Sequence, residues 1–145
     1  MNSSPLVEQT PDYEIYGIID QQVYKTDSES ISAFLRGGYA PSQMNVVEPY
    51  LDGGVNLTGI VPGRDKDVFC FAASRTWISG AFDQFNQAIN GAAHSTEETV
   101  VEATYRAQIT PWWTLQPDIQ YIIQPGATTI AHNALILGAR SSIQF

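Results

Sequence analysis

The chain has 145 residues, of which 43% are hydrophobic and 15% are charged, and its formal net charge is -8. This length suffices for one domain with its own core, but no stretch reaches the roughly 20 apolar residues of a transmembrane helix. The acidic balance argues against nucleic acid as a partner, because phosphate binding needs basic patches. These totals do not exclude an outer-membrane β-barrel, because only every second residue of its strands meets lipid.

The N-terminal residues 1–11 have the composition of a loop that contains Pro5 and Pro11. A secretory signal peptide would have a positively charged segment followed by an apolar one. Neither segment is present, so these residues are not predicted to be a signal peptide.

Four strands are predicted in the first half of the chain, because apolar and polar residues alternate there with the period of two of a β-strand. They cover residues 13–24, 31–39, 45–61 and 67–78. Gly53, Gly54 and Gly59 favour a bend or bulge in the third strand, and residues 62–66 have the composition of a tight turn. In the fourth strand the charged Arg75 is odd-numbered like the apolar residues around it, so the sequence does not show which face of that strand is the polar one.

The second half begins with a long irregular segment, residues 80–98, in which a short helical turn is predicted around residues 82–89. Three further strands follow, with the clearest alternation of the chain; they cover residues 99–110, 113–124 and 134–145. The first two are joined by a tight turn, and the last two by the polar loop 124–133. The pattern predicts an all-β fold, an antiparallel meander of about seven amphipathic strands.

The turns of this meander alternate between short and longer, as in an outer-membrane barrel. However, bacterial barrels have even strand numbers, and an open sheet edge is not viable in a bilayer. We therefore expect residues 1–145 to be one partial barrel domain, with the N-terminal strands and a signal peptide missing from this sequence.

Residue types that support catalysis or metal binding are sparse. His94 and His132 fall in predicted loops without a His, Cys or paired carboxylate at ligand spacing. Cys70 is the single cysteine, so it cannot form an internal disulfide, and its apolar surroundings predict a buried or membrane-facing thiol. The sequence thus predicts no enzyme, no cofactor and no metal site.

The last third also carries a recognisable set of residues. They are Glu98, Glu102, Tyr105, the turn Thr110-Pro111, the run Leu115-Gln116-Pro117-Asp118, Gln120-Tyr121, Pro125, the pair Leu137-Gly138 with Arg140, and the terminal Phe145. This pattern resembles the C-terminal part of the carbohydrate-selective porins of the OprB family, and the upstream stretch YLDGGVNLTGIVPGRDKD is similar as well. The resemblance implies a 16-stranded barrel in the bacterial outer membrane through which sugars such as monosaccharides diffuse passively.

In such a barrel the polar face of the strands would line the channel. The candidate sugar contacts are Arg36, Glu48, Tyr50, Asp52, Arg75, Glu102, Arg106, Gln108, Gln116, Asp118, Gln120 and Arg140. Side chains of this kind hydrogen-bond sugar hydroxyls without needing a charged solute. The alternative is that the charged residues form salt bridges that hold the strand register, and the two roles are compatible.

The other face would meet lipid, with aromatic rings at headgroup depth. The candidates for this girdle are Tyr105, Trp112, Trp113, Tyr121 and Phe145. The alternative for them is core packing in a soluble β-sandwich. The partners implied by the resemblance are small sugars, outer-membrane lipid and, through the terminal aromatic Phe145, the barrel-assembly machinery.

Two other functions compete with a porin. A soluble or surface-exposed β-sandwich that binds carbohydrate is compatible with the composition, whereas a barrel-bound enzyme lacks catalytic residues. The apolar face continues along several successive strands, through Val101, Tyr105, Ile119, Ile123 and Leu137, and this continuity favours the porin.

Overall fold

The structure, a computed structural model, describes residues 12–41, 45–90 and 96–145. Within these ranges, one antiparallel sheet of seven strands follows the order of the chain. The strands are β1 (Ile15–Lys25), β2 (Ser30–Tyr39), β3 (Val47–Thr58), β4 (Val68–Ile78), β5 (Glu97–Thr110), β6 (Trp113–Ile123) and β7 (Ala134–Ile143). The predicted all-β meander is therefore confirmed. The predicted loop 1–11 lies outside the described residues.

The register between neighbouring strands joins positions of equal parity along nearly the whole sheet. Arg36 lies opposite Asp52, for example, and Ala103 lies opposite Ile119. Since successive side chains on a strand point to opposite faces, odd positions share one face and even positions share the other. Register shifts, typical of bulges, interrupt the rule at three places, between Gln22 and Tyr24, between Val47 and Tyr50, and between Gln108 and Thr110.

The two faces differ in exposure, as β6 shows. Its odd positions Leu115, Pro117 and Ile119 are exposed, whereas the even positions Gln116 and Asp118 are half-buried. In a curved sheet the side chains on the inner side screen one another from solvent. The odd positions therefore form the convex face, and the even positions form the concave face.

The convex face is mostly apolar, and nothing in the described ranges covers it. Leu137 is 73% exposed and Ile19 is 65% exposed, although both lie in regular strands. Among the described residues, Ala107 and Ala127 are the only buried apolar ones. A soluble domain buries such a face against a second layer, and the described ranges contain no second sheet.

Three connections meet at each end of the sheet. The connections 26–29, 59–67 and 111–112 lie at the end that we call the short-turn end, and the connections 40–46, 79–96 and 124–133 lie at the opposite end, the long-loop end. Gly59 has a φ of +72°, and a Cβ on it would lie 2.0 Å from the carbonyl oxygen of Ser28. Only glycine therefore permits the first two short turns to touch.

The longest connection contains the helix α1 (Gly80–Asn90). Ser79 caps it, because the hydroxyl of Ser79 accepts a hydrogen bond of 3.3 Å from the backbone N–H of Phe82. The helix is three turns long, whereas the sequence predicted a shorter turn, and Phe85 and Ile89 are exposed on it. No helix in the described part of the chain is long and apolar enough to span a membrane.

Candidate functional site

The concave face carries most of the polar side chains of the sheet. Ten of the twelve predicted lining residues lie on it; they are Arg36, Tyr50, Asp52, Glu102, Arg106, Gln108, Gln116, Asp118, Gln120 and Arg140. They are spread over strands β2 to β7 rather than gathered in one pocket. The concave face is thus a polar wall with several shallow depressions.

The first depression, of about 210 Å³, lies beside an ion pair between β2 and β3. The Nε of Arg36 is 2.8 Å from Oδ1 of Asp52, and the Arg36 guanidinium lies 5.0 Å from the centre of the Phe34 ring. Glu102 forms the opposite wall. Arg36 is nearly half exposed, and exposed ion pairs add little stability, so the pair chiefly fixes the position of both side chains.

The second depression, of about 470 Å³, extends across strands β3 to β6. Cys70, Thr104 and Arg106 line it, and Cys70 is half-buried there. The prediction of a buried or membrane-facing thiol was therefore wrong. The reason is the register, which places Cys70 opposite Asn56 and Thr104 on the polar side.

The third depression, of about 330 Å³, lies at the short-turn end. Its lining consists of Arg106, Gln108, Pro111, Trp112, Thr114, Gln116, Arg140, Ser142 and Gln144. Trp112 thus lines the concave side, although the sequence placed it among the lipid-facing aromatics. It stands in the two-residue turn beyond the β5–β6 ladder, where strand parity no longer determines the direction of a side chain.

Arg75 is the clearest departure from the predicted lining. It lies opposite Leu51 and Thr99 on the convex face. Its guanidinium bonds both carboxylate oxygens of Glu97, with Nε at 3.0 Å from Oε2, and lies 5.3 Å from the ring of Trp77. Arg75 is therefore not part of the polar wall, and it forms the kind of salt bridge that the sequence left as an alternative.

Glu48 also departs from the prediction. It lies within the register shift between Val47 and Tyr50. Its carboxylate accepts a hydrogen bond of 3.3 Å from the hydroxyl of Tyr39, a residue of the convex face. Because the β3–β4 register shifts here, strand parity does not determine which face carries the Glu48 side chain.

Three of the predicted girdle residues, Tyr105, Trp113 and Tyr121, lie on the convex face by their register, and the last two are near the ends of β6. The Trp113 indole N–H donates a 2.9 Å hydrogen bond to the hydroxyl of Ser141, and the Tyr121 hydroxyl accepts one of 3.1 Å from Asn133. Tyr105 lies closer to the short-turn end than Tyr121 does. Phe145, the fifth predicted member, is fully exposed beyond the end of β7.

A buried carboxylate at the short-turn end was missed by sequence reasoning. Asp67 is 3% exposed and accepts hydrogen bonds from the hydroxyl of Tyr105 (2.5 Å), the backbone N–H of Gln108 (2.8 Å) and Nε of Arg64 (2.6 Å). Burial alone would raise the pKa of Asp67, but these three hydrogen bonds more than offset it and hold the pKa below its usual value. The only signal in the sequence is an aspartate at the junction of a polar turn and an apolar strand.

The described residues hold no group of three or more His, Cys, Asp or Glu side chains that could bind a metal ion. His132 is exposed in the β6–β7 connection. His94 lies outside the described residues. The polar wall offers hydrogen-bond donors and acceptors to a solute.

Residues 2–145 match the profile of a protein family described as carbohydrate-selective porin, OprB family. The chain belongs to this family. It is 26% identical over 131 residues to Porin B of Pseudomonas aeruginosa, and the match covers 81% of this chain and 29% of that protein. Its fold is similar to that in the high-pH structure of Pseudomonas putida OprB, with a TM-score of 0.81 and 24% identity over 90% of this chain and 34% of the other.

Family membership has three consequences. The chain is a porin sequence of the bacterial outer membrane, and its seven-stranded meander corresponds to part of an OprB barrel, consistent with the 16 strands implied by the resemblance. The family is one of transport channels rather than enzymes. The soluble β-sandwich receives no support, and the chain spans about a third of the length of the relatives that it matches.

Proposed function

We propose that the concave face is part of the wall of a water-filled channel through which carbohydrates diffuse passively across the outer membrane. The observation that carries this proposal is the register, which keeps equal parity apart from three local shifts and so separates a mostly apolar convex face from a mostly polar concave face across the seven strands. A barrel in lipid needs this separation, with apolar residues outside and polar residues inside.

The direction of the strands supports a barrel that is completed by other strands. Because all neighbours are antiparallel and there are seven strands, β1 and β7 run in the same direction. Closing the sheet with antiparallel pairs alone therefore needs an odd number of further strands, and a total of 16 would need 16 − 7 = 9. Residues 1–145 are accordingly proposed to be one partial barrel domain.

The ten wall residues are proposed to hydrogen-bond sugar hydroxyls as a sugar passes. Glu102 and Asp118 would accept such bonds, and Arg106 and Arg140 would donate them. Arg36 and Asp52 already form an ion pair with each other. This pair would help to maintain the strand register, and the remaining donors of Arg36 and acceptors of Asp52 would be available to sugar hydroxyls. Passage of this kind has no chemical step, so no catalytic residue is required.

The convex face is proposed to contact outer-membrane lipid. Trp113 and Tyr121 lie near opposite ends of β6, at positions suited to the two headgroup regions. The exposed side chain of Phe145 is proposed to be the contact for the barrel-assembly machinery.

The test is reconstitution of the intact gene product that carries this chain into liposomes. We expect isosmotic sugar solutions to swell the liposomes, with rates that fall as the sugar grows from a mono- to an oligosaccharide. Extraction without detergent, or a failure of any sugar to swell liposomes that contain folded protein, would contradict the proposal. Replacing Arg36 and Asp52 together by Gln and Asn would test their contribution, with the Arg75→Gln, Glu97→Gln pair on the convex face as the matched control.

A further inference from the structure

The third depression combines features that the rest of the wall lacks. Trp112, at the two-residue turn between β5 and β6, is 53% exposed and lines the depression together with Arg106 on β5 and Arg140 on β7. An exposed indole at the edge of a polar hollow offers a flat apolar surface in an otherwise hydrophilic environment. The negative face of such a ring attracts the weakly positive C–H groups of a solute.

The two arginines are held at a fixed spacing by the sheet. Arg140 lies opposite Gln116 in the register, and Arg106 stands on the other side of Gln116, across the β5–β6 ladder. The arginines are therefore two strands apart, which is roughly 10 Å between their backbones. Gln116 lies between them, so the three side chains form a row of hydrogen-bonding groups.

In the part of the chain that the structure describes, neither arginine forms an ion pair. Within 12–41, 45–90 and 96–145, the ion pairs involve Arg36, Arg64 and Arg75 and neither of these two. The side chains that line the depression include no carboxylate. The nearest acidic residue along β6 is Asp118, two positions beyond Gln116, and the α-carboxylate of Phe145 forms no ion pair with either arginine.

We propose that this depression is a binding subsite for a single pyranose ring at the short-turn end of the channel. The ring lies with one face on the Trp112 indole, and its hydroxyls accept hydrogen bonds from Arg106 and Arg140. The volume of about 330 Å³ is at the lower limit of the roughly 300–1,000 Å³ typical of small-molecule sites, which suits one sugar ring rather than a chain of them. This subsite rests on the proposed channel function and assigns one position within the channel to the sugar.

The remaining lining groups fit the same ligand. Gln108, Gln116 and Gln144 supply amides that both donate and accept, and Thr114 and Ser142 supply hydroxyls. A pyranose carries hydroxyls around its whole edge, so it uses both kinds of group. A compact anion would use only the donors and would leave the indole without a function.

The experiment is a sugar titration of the ion current through the intact gene product in planar bilayers, with D-glucose as the probe. A bound sugar occupies the channel and reduces the current, so the half-blocking concentration reports on affinity. Trp112→Leu and Arg140→Gln are each expected to raise this concentration by roughly tenfold, equivalent to the loss of about 1.4 kcal/mol. Trp113→Leu is the matched control, because Trp113 is the next residue but lies on the convex face, and it is expected to leave the concentration unchanged.

Folding is controlled by the heat-modifiable gel shift and by the formation of channels in salt alone, both of which each variant must show. If Trp112→Leu does not form channels, Trp112→Phe keeps an aromatic surface and is expected to retain block by glucose close to that of the natural protein. Unchanged block in Trp112→Leu or Arg140→Gln, or equal effects of Trp112→Leu and Trp113→Leu, would overturn the subsite. Channels that pass sugars in the swelling assay but are not blocked by glucose would overturn the subsite alone, whereas the absence of channels and swelling would overturn the channel function itself.

Discussion

The hydroxyl of Tyr105 donates a hydrogen bond of 2.5 Å to the carboxylate of Asp67, 38 residues earlier in the chain. Asp67 ends the turn between β3 and β4, whereas Tyr105 lies on β5, so this contact fastens the turn to a strand beyond β4. Gln108 and Arg64 complete the cluster around the same carboxylate. Asp67 is the one charged residue in the described ranges that is buried, and the cluster around it stabilises the short-turn end.

Removing this carboxylate should therefore destabilise the sheet. Asp67→Ala leaves the N–H of Gln108 and the guanidinium of Arg64 without their acceptor, and an unsatisfied group of this kind costs about 1–3 kcal/mol. We expect a lower midpoint of denaturant unfolding in detergent, with the heat-modifiable gel shift as a second readout. Tyr105→Phe should have a smaller effect, because two of the three donors to Asp67 remain.

Tyr121→Phe is the matched control for that second change. The Tyr121 hydroxyl accepts its hydrogen bond from Asn133 at an exposed position, so its loss should leave the midpoint nearly unchanged. Equal midpoints for Tyr105→Phe and Tyr121→Phe would mean that the Asp67 cluster does not stabilise the fold.

The Asp67 cluster also predicts how stability depends on pH. The pKa of Asp67 is lowered in the folded protein, so its contribution is present above the pKa of the unfolded chain, about 3.9, and is lost as pH falls through the folded value. The difference in unfolding free energy between the natural protein and Asp67→Asn should be largest near neutral pH and should shrink below about pH 4. Unfolding titrations at a series of pH values measure it.

Asp65→Asn serves as the control for pH, since Asp65 lies two residues earlier in the same turn and is exposed. Within the described residues its side chain takes part in no hydrogen bond or ion pair. The role assigned to Asp67 would be contradicted if the loss of unfolding free energy in Asp67→Asn stayed constant down to pH 2. It would also be contradicted if Asp65→Asn showed the same pH-dependent loss.

Introduced arginines at adjacent positions of β7 should lower the stability by different amounts. Leu137 is 73% exposed on the convex face, whereas Ile136 faces the concave side. An arginine on the lipid face of a barrel costs about 2–4 kcal/mol near the bilayer midplane. Leu137→Arg should therefore lower the free energy of unfolding in lipid vesicles by about that amount, and Ile136→Arg should lower it far less. A larger loss for Ile136→Arg would reverse the assignment of the faces.

Two glycines should differ in the effect of one added methyl group. A Cβ on Gly54 would lie 2.7 Å from the carbonyl oxygen of Phe71 and 2.9 Å from Cβ of Ala72, whereas a Cβ on Gly17 would meet no atom within 4 Å. Gly54→Ala is expected to destabilise the protein by about 1–3 kcal/mol through overpacking. Gly17→Ala is expected to stabilise it by about 0.4–1 kcal/mol, because alanine restricts the unfolded chain. Thermal unfolding of both variants would test this contrast.

The strands and their faces could be predicted from the sequence because one physical rule, the alternation of side chains along a strand, operates over the whole sheet. The rule can be applied to each strand by itself as long as neighbouring strands pair odd positions with odd and even positions with even. For this reason the position of Arg106, Gln116 and Arg140 on the polar face followed directly from their even numbers.

Two of the departures from the predicted faces occurred where that rule stops applying. Trp112 is in a turn, and Glu48 is in a bulge, so counting residues does not give the direction of either side chain. Arg75 obeys the rule, but its charge suggested the polar face, and only its contact with Glu97 explains a charge on the convex side. The Asp67 cluster joins residues 38 and 41 positions apart, and a single sequence carries no signal for such a contact.

The most direct measurement is a spin-label scan along β6 in lipid vesicles, from position 115 to position 122, in a Cys70→Ser background of the intact gene product. Collisions with oxygen report contact with lipid, and collisions with a water-soluble nickel complex report contact with water. We predict that odd positions such as 119 favour oxygen and even positions such as 118 and 120 favour the nickel complex, alternating residue by residue. Labels that show no alternation, or that are shielded from both probes at every position, would contradict a channel wall with lipid on one side and water on the other.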